Sequence, residues 1–153
     1  MSQEKVIGFY HAGITVKNLK ESLQFYCDWL GFELLSRQDV DQNYIFNIVG
    51  VHDLNKIKIA FLKIPGSHTL IELLEYDGVE KYSGSCRPCD YGSGHICLYV
   101  NNLIAMHKKL KNKGVRFKSG HPIYIDSGRN KGCYAIYMLD PDGFIVELIQ
   151  TAD

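Results

Sequence analysis

A repeated sequence pattern constrains the fold of this chain more than any other feature. The segment His11-Ala-Gly-Ile-Thr-Val-Lys-Asn-Leu19 aligns with His95-Ile-Cys-Leu-Tyr-Val-Asn-Asn-Leu103. Further along, Ile64-Pro-Gly-Ser-His-Thr-Leu-Ile-Glu72-Leu-Leu aligns with Leu139-Asp-Pro-Asp-Gly-Phe-Ile-Val-Glu147-Leu-Ile, with one residue of difference in the turn. The landmarks follow the same order in both halves, so the repeat predicts two copies of one structural plan.

The β-strands of the two copies are predicted from runs of aliphatic and aromatic residues. The longer runs are residues 6–16, 57–64, 69–76, 94–100, 133–139 and 143–150, and short strands are expected at 31–36 and 115–118. Pro65-Gly66 and Asp140-Pro-Asp-Gly143 have the composition of tight turns, so the last two strands of each half should form a hairpin. The intervening segments 38–54 and 119–132 are predicted to be long loops.

One helix is predicted after the first strand of each half. Asn18 followed by Glu21 resembles a capped helix start, and an apolar face of Leu19, Leu23, Tyr26 and Leu30 follows it. The second helix should run from Asn102 to about Lys113, with Leu103, Met106 and Leu110 facing inward. Its lysines, Lys108, Lys109, Lys111 and Lys113, are interpreted as a solvated face.

These elements predict an α+β fold made of two tandem βαβββ modules. The first module spans about residues 6–76 and the second about 94–150. Residues 77–93, rich in Gly and Ser, should link them within one domain that covers 1–153.

Composition excludes several classes of protein. The chain has 153 residues, 46% of them hydrophobic and 22% charged, which suits a packed domain rather than a disordered or collagen-like chain. Seventeen Lys and Arg balance seventeen Asp and Glu, so nothing in the charge favours nucleic acid or an anionic membrane as a partner. We find neither a membrane span nor a secretory signal and expect a cytoplasmic protein.

The five cysteines are expected to be free thiols, because their number is odd and the chain is large enough to fold without disulfides. Cys86 and Cys89 form a Cys-x-x-Cys motif. No second pair completes a structural zinc site, and no thioredoxin-like helix follows, so we assign the motif no redox or metal role.

Two histidines and two glutamates occupy unusual positions in apolar strands. Strand alternation places His11 and His95 on the side of their strands that faces away from the helices. Glu72 and Glu147 lie in the middle of the last strand of each module, with apolar residues on both sides. An unpaired carboxylate there costs several kcal/mol, so each requires a cation, hydrogen bonds or a raised pKa.

The repetition of these residues predicts one metal site. Two neutral imidazoles and two carboxylates form a mixed nitrogen and oxygen site that suits a divalent ion of Ni, Zn, Co, Mn or Fe. We therefore predict that His11, Glu72, His95 and Glu147 converge on one ion. The other histidines have no such repeated partners and are interpreted as non-ligands: His52, His68, His107 and His121.

The two modules, the His11 and His95 openings and the Asp140-Pro-Asp-Gly-Phe-Ile-Val-Glu147-Leu ending resemble the vicinal oxygen chelate superfamily over nearly the whole chain. This superfamily includes glyoxalase I, methylmalonyl-CoA epimerase, extradiol dioxygenases and bleomycin and fosfomycin resistance proteins. The resemblance implies curved mixed sheets that enclose a central cavity, and a homodimer. It also places the family's metal ligands on His11, Glu72, His95 and Glu147.

The His/Glu/His/Glu set is similar to that of bacterial-type glyoxalase I. This resemblance implies a metal-dependent lyase or isomerase acting on a small substrate that chelates the ion through adjacent oxygens. Either Glu72 or Glu147 would remove a carbon-bound proton, and the ion would stabilise the resulting enediolate. Glutathione carboxylates would need cations, for which loop and strand-end residues are candidates: Arg37, Arg87, Arg129 and Lys131. None of the four belongs to a recognisable motif, so the substrate-binding residues stay open.

Two other activities remain open at this point. An Fe(II) extradiol-type dioxygenase needs two histidines and one carboxylate, which would leave Glu72 surplus. A metal-free protein that binds a small molecule such as an antibiotic would have a cavity and no ion. The remaining possibilities include an epimerase.

Overall fold

The computed structural model describes residues 4–84 and 87–152. The chain divides into two compact units, and the division falls between Lys81 and Tyr82. Each unit contains one mixed β-sheet.

The first unit contains four strands, β1 (His11–Thr15), β2 (Glu33–Val40), β3 (Lys56–Lys63) and β4 (Leu70–Asp77). Its helices are α1 (Leu19–Leu23), which continues as a π-helical segment (Gln24–Trp29), and α2 (Asn43–Val49). The strand order in the sheet is β1-β4-β3-β2. β1 is parallel to β4 and the other neighbours are antiparallel, so the first and last strands of the module lie side by side.

The second unit repeats this arrangement with strands β5 (His95–Tyr99), β6 (Arg116–Phe117), β7 (Ile123–Tyr124), β8 (Tyr134–Leu139) and β9 (Ile145–Gln150) and helix α3 (Leu103–Asn112). The strand order is β5-β9-β8-β6, and β7 also pairs with β8. β5 is parallel to β9, as β1 is to β4.

The predicted α+β class with two mixed sheets is confirmed. Each unit runs strand, helix and then strands that end in an antiparallel hairpin, β3 with β4 and β8 with β9. The solvated lysine face of α3 is also confirmed, because Lys108, Lys109, Lys111 and Lys113 are all exposed.

Fully buried side chains lie on the strands of each unit and on the helix that follows its first strand. In the first unit Ile57, Leu62, Ile71 and Leu73 are at most 1% exposed. The second unit buries Leu103, Leu110, Met138, Val146 and Leu148 to the same degree. At about 1.5–3 kcal/mol for each fully buried aliphatic side chain, this packing stabilises the frame that holds the candidate site.

The helix of each module is joined to the last strand of that module by a side chain. Asn18 caps α1 as predicted, and Asn102 caps α3 at its predicted start. The Oδ1 atom of each residue accepts from backbone N–H groups of the first turn. A second acceptor comes from the sheet: Glu75 Oε2 accepts from Leu19 N at 2.7 Å, and Gln150 Oε1 accepts from Leu103 N at 2.8 Å. Each acceptor lies three residues beyond the strand glutamate.

The first strand is shorter than the sequence predicts. We expected residues 6–16, whereas β1 begins at His11. Its parallel partner β4 begins at Leu70, which pairs with His11, so residues 6–10 have no neighbour on β4. Apolar composition alone does not reveal where a pairing partner ends.

The buried face of the first helix also differs from the prediction. Leu19 and Tyr26 are buried as expected, but Ser22 and Phe25 replace Leu23 and Leu30 on the fully buried face. For Phe25 and Leu30 the cause is the π-helical segment, which begins at Gln24 and shifts the residues after it out of the 3.6-residue period.

Both predicted loops contain regular structure. Residues 38–54 include the end of β2 and helix α2, and 119–132 include β7. Within α2, Ile45, Phe46 and Val49 pack against the buried cluster that contains Val40 and Ile57. Their spacing of one and four residues is typical of a helix, and this signal contradicts a loop.

Four of the five predicted free thiols lie among the described residues, and all four are free: Cys27, Cys89, Cys97 and Cys133. Cys86 lies outside the described residues, so the Cys-x-x-Cys motif is described only at Cys89. None of the helices in the described ranges is long and apolar enough to cross a membrane.

Glu75 should make the stability of the protein sensitive to acid. Burial alone would raise the pKa of this carboxyl, but hydrogen bonds from Lys58 and the backbone of Leu19, with the charges of Lys58 and Lys81, lower it below its ordinary value. A lowered pKa in the folded state gives stability that is present above the unfolded pKa of about 4.3 and is lost as pH falls through the folded value.

We therefore expect Glu75→Gln to destabilise the protein at pH 7 and to lose less stability than the wild type between pH 7 and pH 3. Urea unfolding at several pH values measures this difference. Glu33→Gln, a change at an exposed carboxylate, serves as the control and should track the wild type. Parallel pH curves for Glu75→Gln and the wild type would contradict the prediction.

Candidate functional site

His11 and Glu72 form a pair on the sheet of the first unit. Parallel pairing places Gly13 of β1 opposite Glu72 of β4, and His11 lies two residues before Gly13 on β1. The side chains converge until His11 Nε2 and Glu72 Oε2 are 3.1 Å apart. The carboxylate is 16% exposed, so this oxygen lies near the surface of an otherwise apolar sheet.

The residues in register with Glu72 on the neighbouring strands are small or apolar. The ring of His11 contacts Phe61 in an edge-on arrangement at 5.5 Å, and Phe61 is also the β3 residue in register with Glu72. Gly13 has no side chain, and a Cβ there would lie 3.8 Å from Glu72 Oε2. His11 Nδ1 is buried and has no hydrogen-bond partner among the residues that the structure describes.

His95 and Glu147 form the corresponding pair in the second unit. Cys97 is in register with Glu147, as Gly13 is with Glu72, and His95 again lies two residues earlier on the first strand of the module. His95 Nε2 and Glu147 Oε2 are 3.2 Å apart, within 0.1 Å of the separation in the first pair. The ring of His95 lies 5.1 Å from that of Tyr137, the counterpart of Phe61.

The surroundings of this second pair are more polar. Desolvation, the charge of Glu147 and a hydrogen bond with Glu147 raise the pKa of the Cys97 thiol to about 12. The pKa of Tyr137 is also raised, by desolvation and then by the charges of Glu147 and Cys97. In the first unit, desolvation and then the charge of Glu72 raise the pKa of Tyr76. Both carboxylates therefore oppose ionisation of nearby acidic groups.

Each pair offers one imidazole nitrogen and one carboxylate oxygen to a ligand. Metal bonds of about 2.0–2.2 Å place neighbouring ligand atoms of one ion roughly 3.0–3.5 Å apart, and both measured separations fall in this range. The donor types and spacing of each pair thus fit a divalent ion. Within residues 4–84 and 87–152, no group of three or more His, Cys, Asp and Glu side chains is arranged to hold a metal. The four-ligand assignment stays a prediction.

The remaining sequence candidates lie elsewhere. His107 is on α3 and contacts Phe117 edge-on at 4.5 Å. Its pKa is lowered by desolvation and then by the charges of Lys111 and His121. Arg87, one of the cations considered for a substrate carboxylate, instead pairs with Asp90 at 2.6 Å.

Sequence reasoning missed the residues that flank the pairs on the middle strands, Phe61 and Tyr137. A signal was present, since counting back through each predicted hairpin from Glu72 or Glu147 reaches these aromatic residues. The alignment of His-x-Gly13 with His-x-Cys97 likewise marks a position beside the glutamates where the two copies differ chemically.

Comparison with known proteins relates this chain to one family. The model of the Glyoxalase/Bleomycin resistance protein/Dioxygenase superfamily matches residues 8–148. A solved structure of a glyoxalase family protein from Bacillus cereus has a TM-score of 0.83, with 18% identity, and covers 100% of this chain and 99% of that one.

Curated relatives include a protein named "Probable lactoylglutathione lyase" from Synechocystis, which is 31% identical over 145 residues and covers 93% of this chain and 94% of that protein. A protein named glyoxalase I from Saccharomyces cerevisiae is 29% identical over 157 residues that cover 97% of this chain. The chain spans only 46% of the length of that yeast protein.

The raised pKa of Cys97 predicts an unreactive thiol in metal-free protein. Only the thiolate attacks an alkylating reagent, and a pKa of about 12 leaves far less thiolate at pH 8 than an ordinary cysteine has. We expect iodoacetamide to modify Cys97 at less than about one-hundredth of the rate at exposed Cys89. Peptide mass spectrometry after timed alkylation in a chelator measures both rates, and similar rates would contradict the prediction.

Proposed function

Because the chain belongs to the Glyoxalase/Bleomycin resistance protein/Dioxygenase superfamily, we propose that it is a metal-dependent lyase of the glyoxalase I type. Its substrate would be a small molecule with two adjacent oxygens, such as the hemithioacetal of methylglyoxal and glutathione. The single observation that carries the proposal is the repeated pair, with imidazole and carboxylate atoms 3.1 Å apart in one unit and 3.2 Å apart in the other.

The proposed ligands of one divalent ion are His11, Glu72, His95 and Glu147. Each unit would supply one pair, and the pairs would come from one chain or from two copies in a homodimer. Two neutral imidazoles and two carboxylates balance the charge of such an ion, which favours Ni, Zn, Co, Mn or Fe. Relatives whose names include lactoylglutathione lyase, at 28–31% identity, support the proposed type of activity.

A bound divalent ion would polarise the adjacent substrate oxygens and so make the neighbouring carbon-bound proton more acidic. The residues of the chain would carry out the proton transfer. Glu72 and Glu147 are the candidate bases, because a carboxylate oxygen of each lies at the surface of its sheet beside a histidine. Phe61 and Tyr137 would shield the carboxylates from water on the middle strands, which strengthens electrostatic interactions there.

The equivalence of the pairs favours four ligands over three. In the dioxygenase alternative Glu72 would be surplus, yet it approaches His11 as closely as Glu147 approaches His95. The metal-free alternative gives no reason for the same imidazole and carboxylate pair to recur at equivalent positions in both units.

Replacement of each carboxylate by its amide tests the proposed base. We expect Glu72→Gln or Glu147→Gln, whichever residue is the base, to lower turnover of methylglyoxal plus glutathione by about 10²–10⁴-fold with metal still bound. Turnover is followed in a spectrophotometer and metal content by elemental analysis of protein purified without chelators. Glu33→Gln is the matched control, since its carboxylate is exposed and lies on β2.

Full turnover in both amide variants would contradict the proposed base. Oxygen uptake with a catechol and no turnover of the hemithioacetal would favour the dioxygenase instead.

Replacement of the histidines tests the ligand set separately. His11→Ala and His95→Ala should each weaken metal binding, since a lost imidazole leaves one ligand fewer and a partly buried carboxylate without its neighbour. Metal content after dialysis is the measurement, and His68→Ala provides a histidine control outside the strands. Normal metal content in both variants would remove the assignment.

A further inference from the structure

Among the residues in register with the two carboxylates, the units differ at one position on the first strand and at one aromatic residue on the middle strand. Gly13 is in register with Glu72 and Cys97 with Glu147. The histidines occupy equivalent positions two residues earlier, and the flanking aromatic rings differ only by the hydroxyl of Tyr137. On the first strand, the thiol is therefore a reactive group that the second pair has and the first pair lacks.

The register brings the thiol close to Glu147. Glu147 lies on β9, and its carboxylate reaches the neighbouring strand β5, since its Oε2 atom is 3.2 Å from His95 Nε2. Cys97 lies on the same face of β5 as His95, because the two residues are separated by one position in a strand. In the first unit the equivalent Cβ position, at Gly13, is 3.8 Å from Glu72 Oε2. A thiol attached at that position can reach the carboxylate.

We propose that Cys97 is a positioning residue that donates its S–H to Glu147 and holds this carboxylate beside His95, whereas Gly13 offers Glu72 no side-chain donor at the equivalent position. The inference rests on the proposed function, because the role of the held carboxylate is to present an oxygen to the ion. The electrostatic influence of Glu147 on the thiol agrees with this contact.

The interaction has a chemical consequence for the site. A donor to a ligating carboxylate fixes its orientation and reduces the entropy lost when the ion binds. Removing the donor frees the carboxylate to rotate away from His95 and leaves its other lone pairs to water. Glu147 thus acts as the pre-oriented carboxylate, and Glu72 retains its rotational freedom next to Gly13 and Phe61.

Three substitutions of Cys97 separate a positioning role from a structural one. Cys97→Ala removes the donor, Cys97→Ser keeps a donor of similar reach, and Cys97→Gly recreates the arrangement of the first unit. Zn²⁺ affinity is measured by competition with a chromophoric chelator in the absence of substrate. We expect about tenfold weaker Zn²⁺ binding in the Ala and Gly variants and recovery to within about threefold in the Ser variant. Cys89→Ala, at an exposed cysteine outside the strands, should bind as the wild type does.

Zn²⁺ affinity equal to that of the wild type in all three variants would overturn the proposal. Loss of affinity in the Ser variant as large as in the Ala variant would also overturn it, since the sulfur would then act as something other than a hydrogen-bond donor. If the Ala variant fails to fold, the Gly and Ser variants decide the result, because glycine already occupies the equivalent position beside Glu72.

A crystal structure of each metal-free variant provides a readout that needs neither metal nor turnover. The separation of His95 Nε2 and Glu147 Oε2 should increase from 3.2 Å in Cys97→Ala and stay short in Cys97→Ser. An unchanged separation in both would overturn positioning by the thiol. A protein that shows these shifts without turning over the hemithioacetal would retain the inference while the proposed activity fails.

Discussion

Parallel pairing between the first and last strands of each module is the constraint on which the candidate site depends. It lies between β1 and β4 in one unit and between β5 and β9 in the other, and it places each histidine next to a glutamate more than fifty residues away along the chain. Strand side chains alternate with a period of two, so a slip of one residue would send the histidine to the helix-packed face. The tethers from Glu75 to Leu19 and from Gln150 to Leu103 oppose such a slip, because they join the following helix to the same last strand.

This geometry explains how carboxylates persist in strands that are otherwise apolar. Glu72 is 16% exposed and Glu147 18% exposed, so neither is fully withdrawn from water, and an imidazole lies within 3.2 Å of each. The residues before and after them, such as Ile71 and Leu148, point to the opposite face and are at most 1% exposed. One strand thus serves the core on one face and the site on the other, as period-two alternation permits.

Much of this arrangement could be predicted from the repeat. Strand types, the two hairpins, the caps at Asn18 and Asn102 and the face of each histidine all follow from local pattern and alternation. Features set by packing could not be predicted in this way: the π-helical segment after Leu23 and the start of β1 at His11 depend on neighbours distant in sequence. The pairing of each histidine with the glutamate of its own module follows from register, which a single sequence does not fix, and the four-ligand set remains a prediction.

The two units have the same strand register but surround their glutamates with different side chains, which suits chemistry that needs two different carboxylates. The proposed proton abstraction would divide the work between one carboxylate that stays in place and one that accepts and returns a proton, and identical surroundings would give both carboxylates the same basicity and mobility. Environments that separate two titratable groups are the usual means of dividing such roles. Here the backbone register is the same in both units, so the division must arise from side chains at equivalent positions. Gly13 and Phe61 place no side-chain donor in register with Glu72, whereas Cys97 and Tyr137 place groups able to donate in register with Glu147. Under the proposed function, this difference would allow the two carboxylates unequal roles.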